Sequence, residues 1–170
     1  MAPSNQVIVS KKNQWMKQHI DVQFPTKESI EGEKLYASRY QGSEIVELTT
    51  PLESHAPIVE EIYKVDFHRL TVMFAILQSN CWPSESEQSL ILEYLSQVIY
   101  QPPCTLFLGF KGQEPVAGGI VTEEVDSILV SDLCYKGQTQ GKEVEGFAKQ
   151  LINYYLAENQ MNPNAVWMEL

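Results

Sequence analysis

The chain has 170 residues, 44% apolar and 10% aromatic, enough for one domain with a core of its own. A formal charge of −10, with no basic cluster to offset it, excludes the electrostatics of a nucleic-acid binder. No stretch approaches the roughly 20 apolar residues of a membrane span, and the apolar run in MAPSNQVIVSKK is too short for a signal peptide, so the expectation is a cytoplasmic chain without a membrane partner.

Residues 1–43 read as a polar, irregular arm or extra layer. They carry half of the twelve Lys and Arg, and the alternating piece HIDVQF predicts a strand before Pro25. EIVELTT alternates as a half-buried strand does. PLESHAP then predicts entry into a helix with Ser54 as its N-cap and Ile58, Val59, Ile62 and Tyr63 as its buried stripe. HRLTVMFAILQSNCW, apolar nearly all round, predicts a helix packed on several sides. The clearest helical signal is PSESEQSLILEYLSQVIYQPP. Ser84 and Glu87 form a capping box, Leu90, Ile91, Tyr94, Leu95, Val98 and Ile99 recur at helical spacing, and Pro102 with Pro103 ends the segment.

The period then changes. CTLFLGF, the turn KGQEP and VAGGIV predict a hairpin, and SILVSDLCY a third strand, so Thr105 to Tyr135 should form three sequential antiparallel strands. A glycine-bearing loop follows. After it Val144, Phe147, Ala148, Leu151, Ile152 and Tyr155 share one helical face, and AVWMEL reads as a last short strand.

Cys81, Cys104 and Cys134 show no CxxC spacing, and their odd number argues against a disulfide framework, so all three are expected reduced and largely buried. His19, His55 and His68 have no ligand spacing, so no metal site is expected. No histidine lies near Cys134 in sequence to activate it, and a small buried strand residue is the expected role.

This order of elements, with LFLGFKGQEPVAGGIV, SDLCY and QGKEVEGFAKQL, resembles the GNAT (GCN5-related N-acetyltransferase-like) acyltransferases over about Glu44 to Leu170. The resemblance implies an α+β fold with a mixed, mainly antiparallel sheet and helices on both faces, acyl-CoA N-acyltransferase-like, occupying residues 44–170. It implies an acyl group moving from acetyl-CoA or another acyl-CoA to a small-molecule or protein amine. The alternatives are a non-catalytic domain of this fold that binds a small molecule or protein partner, and acyl chemistry with a donor such as an acyl carrier protein. In the family, a Gln or Arg followed by two spaced small residues presents amides to the CoA pyrophosphate at a helix N-terminus.

Aligning the helix stripe puts Gln140 first, with Gly141, Lys142 and Val144 beside the pyrophosphate and Glu143 and Glu145 on the two small positions, where bulk and charge oppose an anion. A register led by Gln138 puts Gly141 on the first small position and leaves one misfit, Glu143. Acids in a first turn also stabilise a helix with no ligand at all. The resemblance further implies carbonyl-holding amides around Leu133, Cys134 and Tyr135, with Asp132 and Glu124 as candidate bases and Glu123 beside them. Asp132, flanked by apolar neighbours, would have a raised pKa if buried. Otherwise it faces solvent or bonds a neighbouring strand. The family's further helix and two strands have no counterpart after Leu170. A partner subunit, as in a homodimer, the arm, or a shortened site would stand there.

Overall fold

The computed structural model describes residues 5–50, 52–53 and 56–170. In chain order the elements are α1 (Asn5–Gln18), α2 (Lys27–Tyr40), β1 (Ile45–Leu48), β2 (Glu61–Lys64), α3 (His68–Ser79), α4 (Glu85–Leu95), β3 (Cys104–Lys111), β4 (Glu114–Glu124), β5 (Ser127–Tyr135), α5 (Lys142–Glu158) and β6 (Ala165–Glu169). They build an α+β architecture around one mixed six-stranded sheet of order β1-β6-β5-β4-β3-β2. Every pairing is antiparallel except β5 with β6, which α5 joins as a parallel crossover.

The three-strand meander matches the expectation for Thr105 to Tyr135. All nine residues of β5 are buried, because helices cover both faces of the sheet. On one face α5 presents the six residues of its predicted stripe, each 5% exposed or less, to Phe107, Ala117, Val121, Ile128, Val130 and Leu133. The other face carries α1 to α4, with Trp15, Phe74, Ile91 and Tyr94 packed on Leu106, Leu108 and Ile120. The capping box of α4 forms as read: Ser84 Oγ accepts from the Glu87 amide at 3.2 Å, and Glu87 bonds the Ser84 amide at 3.4 Å. That helix ends at Leu95, well before the proline pair, and Ile99 is exposed.

The arm differs from its reading. It is two helices, and HIDVQF is a turn with Phe24 exposed, not a strand. The α1 stripe Ile8, Lys12, Trp15, Met16 keeps helical spacing but has a lysine at its centre, which hides the apolar period. α2 is capped by Thr26, whose Oγ1 accepts from the Ser29 amide at 3.1 Å. It buries Ser29, Gly32 and Tyr36, a face too small and polar to announce itself. Gly32 lets α2 rest directly on α4, since a Cβ there would stand 2.2 Å from the Leu90 carbonyl oxygen.

A second correction concerns Ile58 to Tyr63. Ile62 and Tyr63 lie in β2, an edge strand paired with Phe107–Phe110, and no helix occurs among the described residues between 52 and 67. The expected cap Ser54 lies outside the described residues. Ile62 buries while its strand neighbours stay exposed, which is the period of an edge strand. EIVELTT does form a strand, β1, but at the far edge of the sheet against β6.

Candidate functional site: the cleft where β5 leaves β6

The parallel pair β5–β6 is in register only from Ser127↔Ala165 to Val130↔Met168. Beyond Val130 the strands diverge, and the cause lies in β5 itself. Gly119 faces both Asp132 and Leu133 between the pairs Ile120↔Ser131 and Gly118↔Cys134, and Asp132 takes a left-handed φ of 53°. This bulge inserts one residue and reverses the facing of all that follow. Ile128 and Val130 point at α5 before it, and Leu133 and Tyr135 do so after it. The space opened is a cavity lined by Arg39, Tyr40, Asp132, Leu133, Gln140 and Glu169, among others.

Asp132 is neither solvent-facing nor a lone buried acid: at 3% exposure, it is part of a network built by the arm. Tyr36 donates to its Oδ1 at 2.6 Å and Ser131 to its Oδ2 at 2.7 Å. Lys12 Nζ, fully buried, lies 3.8 Å from Oδ2 and 2.6 Å from Glu169 Oε1, while Ser43 donates to Glu169 Oε2 at 2.8 Å. The same ammonium sits 4.6 Å from the Tyr40 ring centroid. Gln78, from the end of α3, donates to the Asp132 carbonyl at 2.5 Å. Burial, then Asp132, hold the Tyr36 phenol well above its ordinary pKa. Burial, then Asp132 and Glu169, do the same for Tyr40, against the opposing Arg39. Both tyrosines therefore stay protonated at neutral pH.

At the mouth of the cleft, α5 begins at Lys142 with Gly141 as its N-cap at φ 118°, a conformation open chiefly to glycine. The first helical bond from this end runs from the Glu145 amide to the Gly141 carbonyl at 3.0 Å. Among the described residues the amides of Thr139, Gln140, Gly141, Lys142, Glu143 and Val144 have no acceptor. Gln140, Gly141, Lys142, Glu143 and Glu145 are exposed, and Glu143 Oε2 lies 4.0 Å from where a Cβ on Gly141 would stand.

The remaining candidates fall apart spatially. Glu124 is paired with Ser127 at the β4–β5 turn, remote from the cleft, and its carboxylate bonds Lys11 of α1. Glu123 accepts from Tyr155 and lines a separate cavity of about 300 Å³ beside Pro103 and Asn159. Cys134 points into the α-helical layer and is not part of the cleft. The Tyr135 amide is already bonded to the Gln138 carbonyl at 2.9 Å, so it cannot hold a substrate oxygen. Val144 buries its side chain under α5, which leaves only its amide at the mouth. Sequence reasoning missed Lys12, Tyr36, Tyr40 and Glu169. The one available signal was a lysine at the centre of a helical stripe.

No family model and no curated protein sequence matches this chain. Among solved structures, it resembles the crystal structure of a functionally unknown conserved protein from Staphylococcus epidermidis ATCC 12228, with a TM-score of 0.50 at 11% identity. The match covers 80% of this chain and 55% of that one, so the chain spans little more than half of its neighbour's length. At that identity the likeness speaks to the fold alone.

Proposed function

We propose that this chain is a GNAT-like acyltransferase that takes an acyl group from acyl-CoA to an amine in the β5–β6 cleft. The observation that carries the reading is the run of six amides, Thr139 to Val144, without an acceptor among the described residues, at the mouth of a cavity opened by two diverging parallel strands. Free amides at a helix N-terminus suit a pyrophosphate, and the cavity beside them suits the acyl arm. The sheet order and the α5 crossover support the finer fold assignment. Strand β1 pairs with β6 beside the cleft, and Arg39 and Tyr40 from the end of α2 line it.

In this reading the amine nitrogen attacks the thioester carbonyl, the carbon–sulfur bond breaks, and the amine proton passes to Asp132, the carboxylate at the bulge that lines the cavity. Tyr40, kept protonated by its surroundings, returns a proton to the leaving thiolate. A second reading, the non-catalytic domain, is favoured by one observation. The oxygens of Asp132 and Glu169 already have partners in Lys12, Tyr36, Ser43 and Ser131, an arrangement complete without substrate.

Titration calorimetry with acetyl-CoA, followed by chromatographic detection of free CoA in the presence of a panel of primary amines, separates the two. Saturable binding with amine-dependent CoA release supports acyl transfer, whereas binding without release supports the non-catalytic domain. Absence of binding refutes the cleft as a CoA site.

A further inference from the structure

Three charged side chains line the β5–β6 cavity, and they are separated by sign. Asp132 and Glu169 share the single ammonium of Lys12, at 3.8 and 2.6 Å, which leaves one negative charge over on their side. Arg39 stands outside that network: among the described residues no carboxylate lies within ion-pair distance of it. It comes from the last turn of α2, and two contacts fix its plane. The guanidinium carbon is 3.4 Å from the Trp82 ring centroid, and Nη2 donates to the Cys81 carbonyl at 2.9 Å. That bond occupies one of the fork's five N–H donors. No Arg39 nitrogen is buried without a partner, so the unused donors open onto solvent. A guanidinium held flat on an indole with most of its fork unused is pre-organised for a planar anion with two oxygens, a carboxylate.

We infer, on the acyltransferase reading, that the acceptor is a small amine that also bears a carboxylate, an amino acid, with the carboxylate on Arg39 and the nitrogen toward Asp132 and Glu169. The two ends of such a molecule match the two signs of the cavity. Its volume of about 260 Å³ lies below the roughly 300 to 1,000 Å³ of sites for drug-sized ligands, which suits a free amino acid rather than a larger acceptor. The donor's pyrophosphate makes no demand on Arg39. It has its own donors in the amides from Thr139 to Val144, at the start of α5, and α5 covers the sheet face opposite the one that carries α2.

The test follows free CoA released from acetyl-CoA by the full chain with matched acceptors, a panel of amino acids each against its own carboxamide, which keeps the size and removes the negative charge. The carboxylate raises the pKa of its own amine, so at a given pH the carboxamide has more neutral amine, and a preference for the acid cannot come from amine reactivity. The expected result is at least one acid whose KM lies about tenfold or more below that of its carboxamide. In Arg39→Gln that KM should rise to the carboxamide's value, with the acetyl-CoA dissociation constant, measured by calorimetry, unchanged. Carboxamides used by the natural chain as well as the acids, or better, overturn the inference and leave the acyltransferase reading standing. An Arg39→Gln chain that loses acetyl-CoA affinity while the acid keeps its advantage overturns it too, by placing the guanidinium on a phosphate of the donor. No binding of acetyl-CoA, or no CoA release with any amine, refutes the acyltransferase reading and the inference with it. The natural chain carries the primary comparison, so the result does not depend on the variant folding.

Discussion

Lys12→Met tests whether the arm is bound to the sheet by the buried ion pair. The methionine keeps the aliphatic volume of the stem and removes only the ammonium, which lies at 0% exposure, 2.6 Å from Glu169 and 3.8 Å from Asp132. The two carboxylates are affected unequally. Asp132 retains donors in Tyr36 and Ser131, whereas Glu169, 3% exposed, is left with Ser43 alone. Removing one partner of a buried pair costs about 3 to 5 kcal/mol, because the other charge stays behind without compensation. That is a large share of the roughly 5 to 15 kcal/mol that holds a domain together. Urea titrations followed by tryptophan fluorescence, with Trp15 and Trp167 buried on either side of this junction, should show the loss as a lower midpoint at similar slope. The cost is electrostatic, so adding Glu169→Gln to Lys12→Met should restore more than half of it, a clear departure from additivity. A Lys12→Met chain within about 1 kcal/mol of the natural one, where exposed pairs fall, would refute the reasoning, as would two losses that simply add.

Three further outcomes follow from packing and burial. Gly32→Ala should destabilise by about 3 kcal/mol in the same titration, because its Cβ would overlap backbone at the Leu90 carbonyl, and no rotamer change can relieve that. Leu151→Ala should cost about 2 to 5 kcal/mol and Lys149→Ala little, since only Leu151 is at 0% exposure under α5. Equal effects would place the wrong face of α5 on the sheet. His19, buried against Trp15, has its pKa lowered by desolvation from 6.5 to about 4. The unfolded chain therefore binds the extra proton between those values. Stability should fall as pH drops from 6.5 to 4, by up to about 3 kcal/mol, and His19→Phe should flatten that slope in thermal melts.

What was legible in the sequence is what apolar period encodes. The meander, α4 with its capping box, and α5 are places where the buried positions are mostly apolar at a clean spacing. The arm helices were not legible, because their buried faces carry Lys12, Ser29, Gly32 and Tyr36, whose fit depends on groups far along the chain. Edge strand β2 was read as a helix because Ile58, Val59, Ile62 and Tyr63 fall at helical spacing, whereas in the strand Ile62 is buried and Tyr63 is exposed, and the pairing with β3 decides. At the site, Asp132 was found from its apolar neighbours. Its bulge and its network depend on register and on residues 96 and 120 positions away, which no local pattern carries. Glu124 illustrates the converse: proximity in sequence to the right strand put it on the candidate set, and the length of that strand takes it out of the cleft.

The central claim, that the amides from Thr139 to Val144 hold the pyrophosphate of an acyl-CoA, is tested most directly by the acetyl-CoA dissociation constant of the natural chain and of Gly141→Val. Valine strains the N-cap at φ 118° and puts bulk where the anion would approach, while leaving the cores untouched. The natural chain should bind with micromolar affinity, and the variant should lose at least tenfold, about 1.4 kcal/mol. Glu145→Gly, which alters only the register led by Gln140, should change binding far less. No measurable binding by the natural chain, or equal affinity in Gly141→Val, would contradict it.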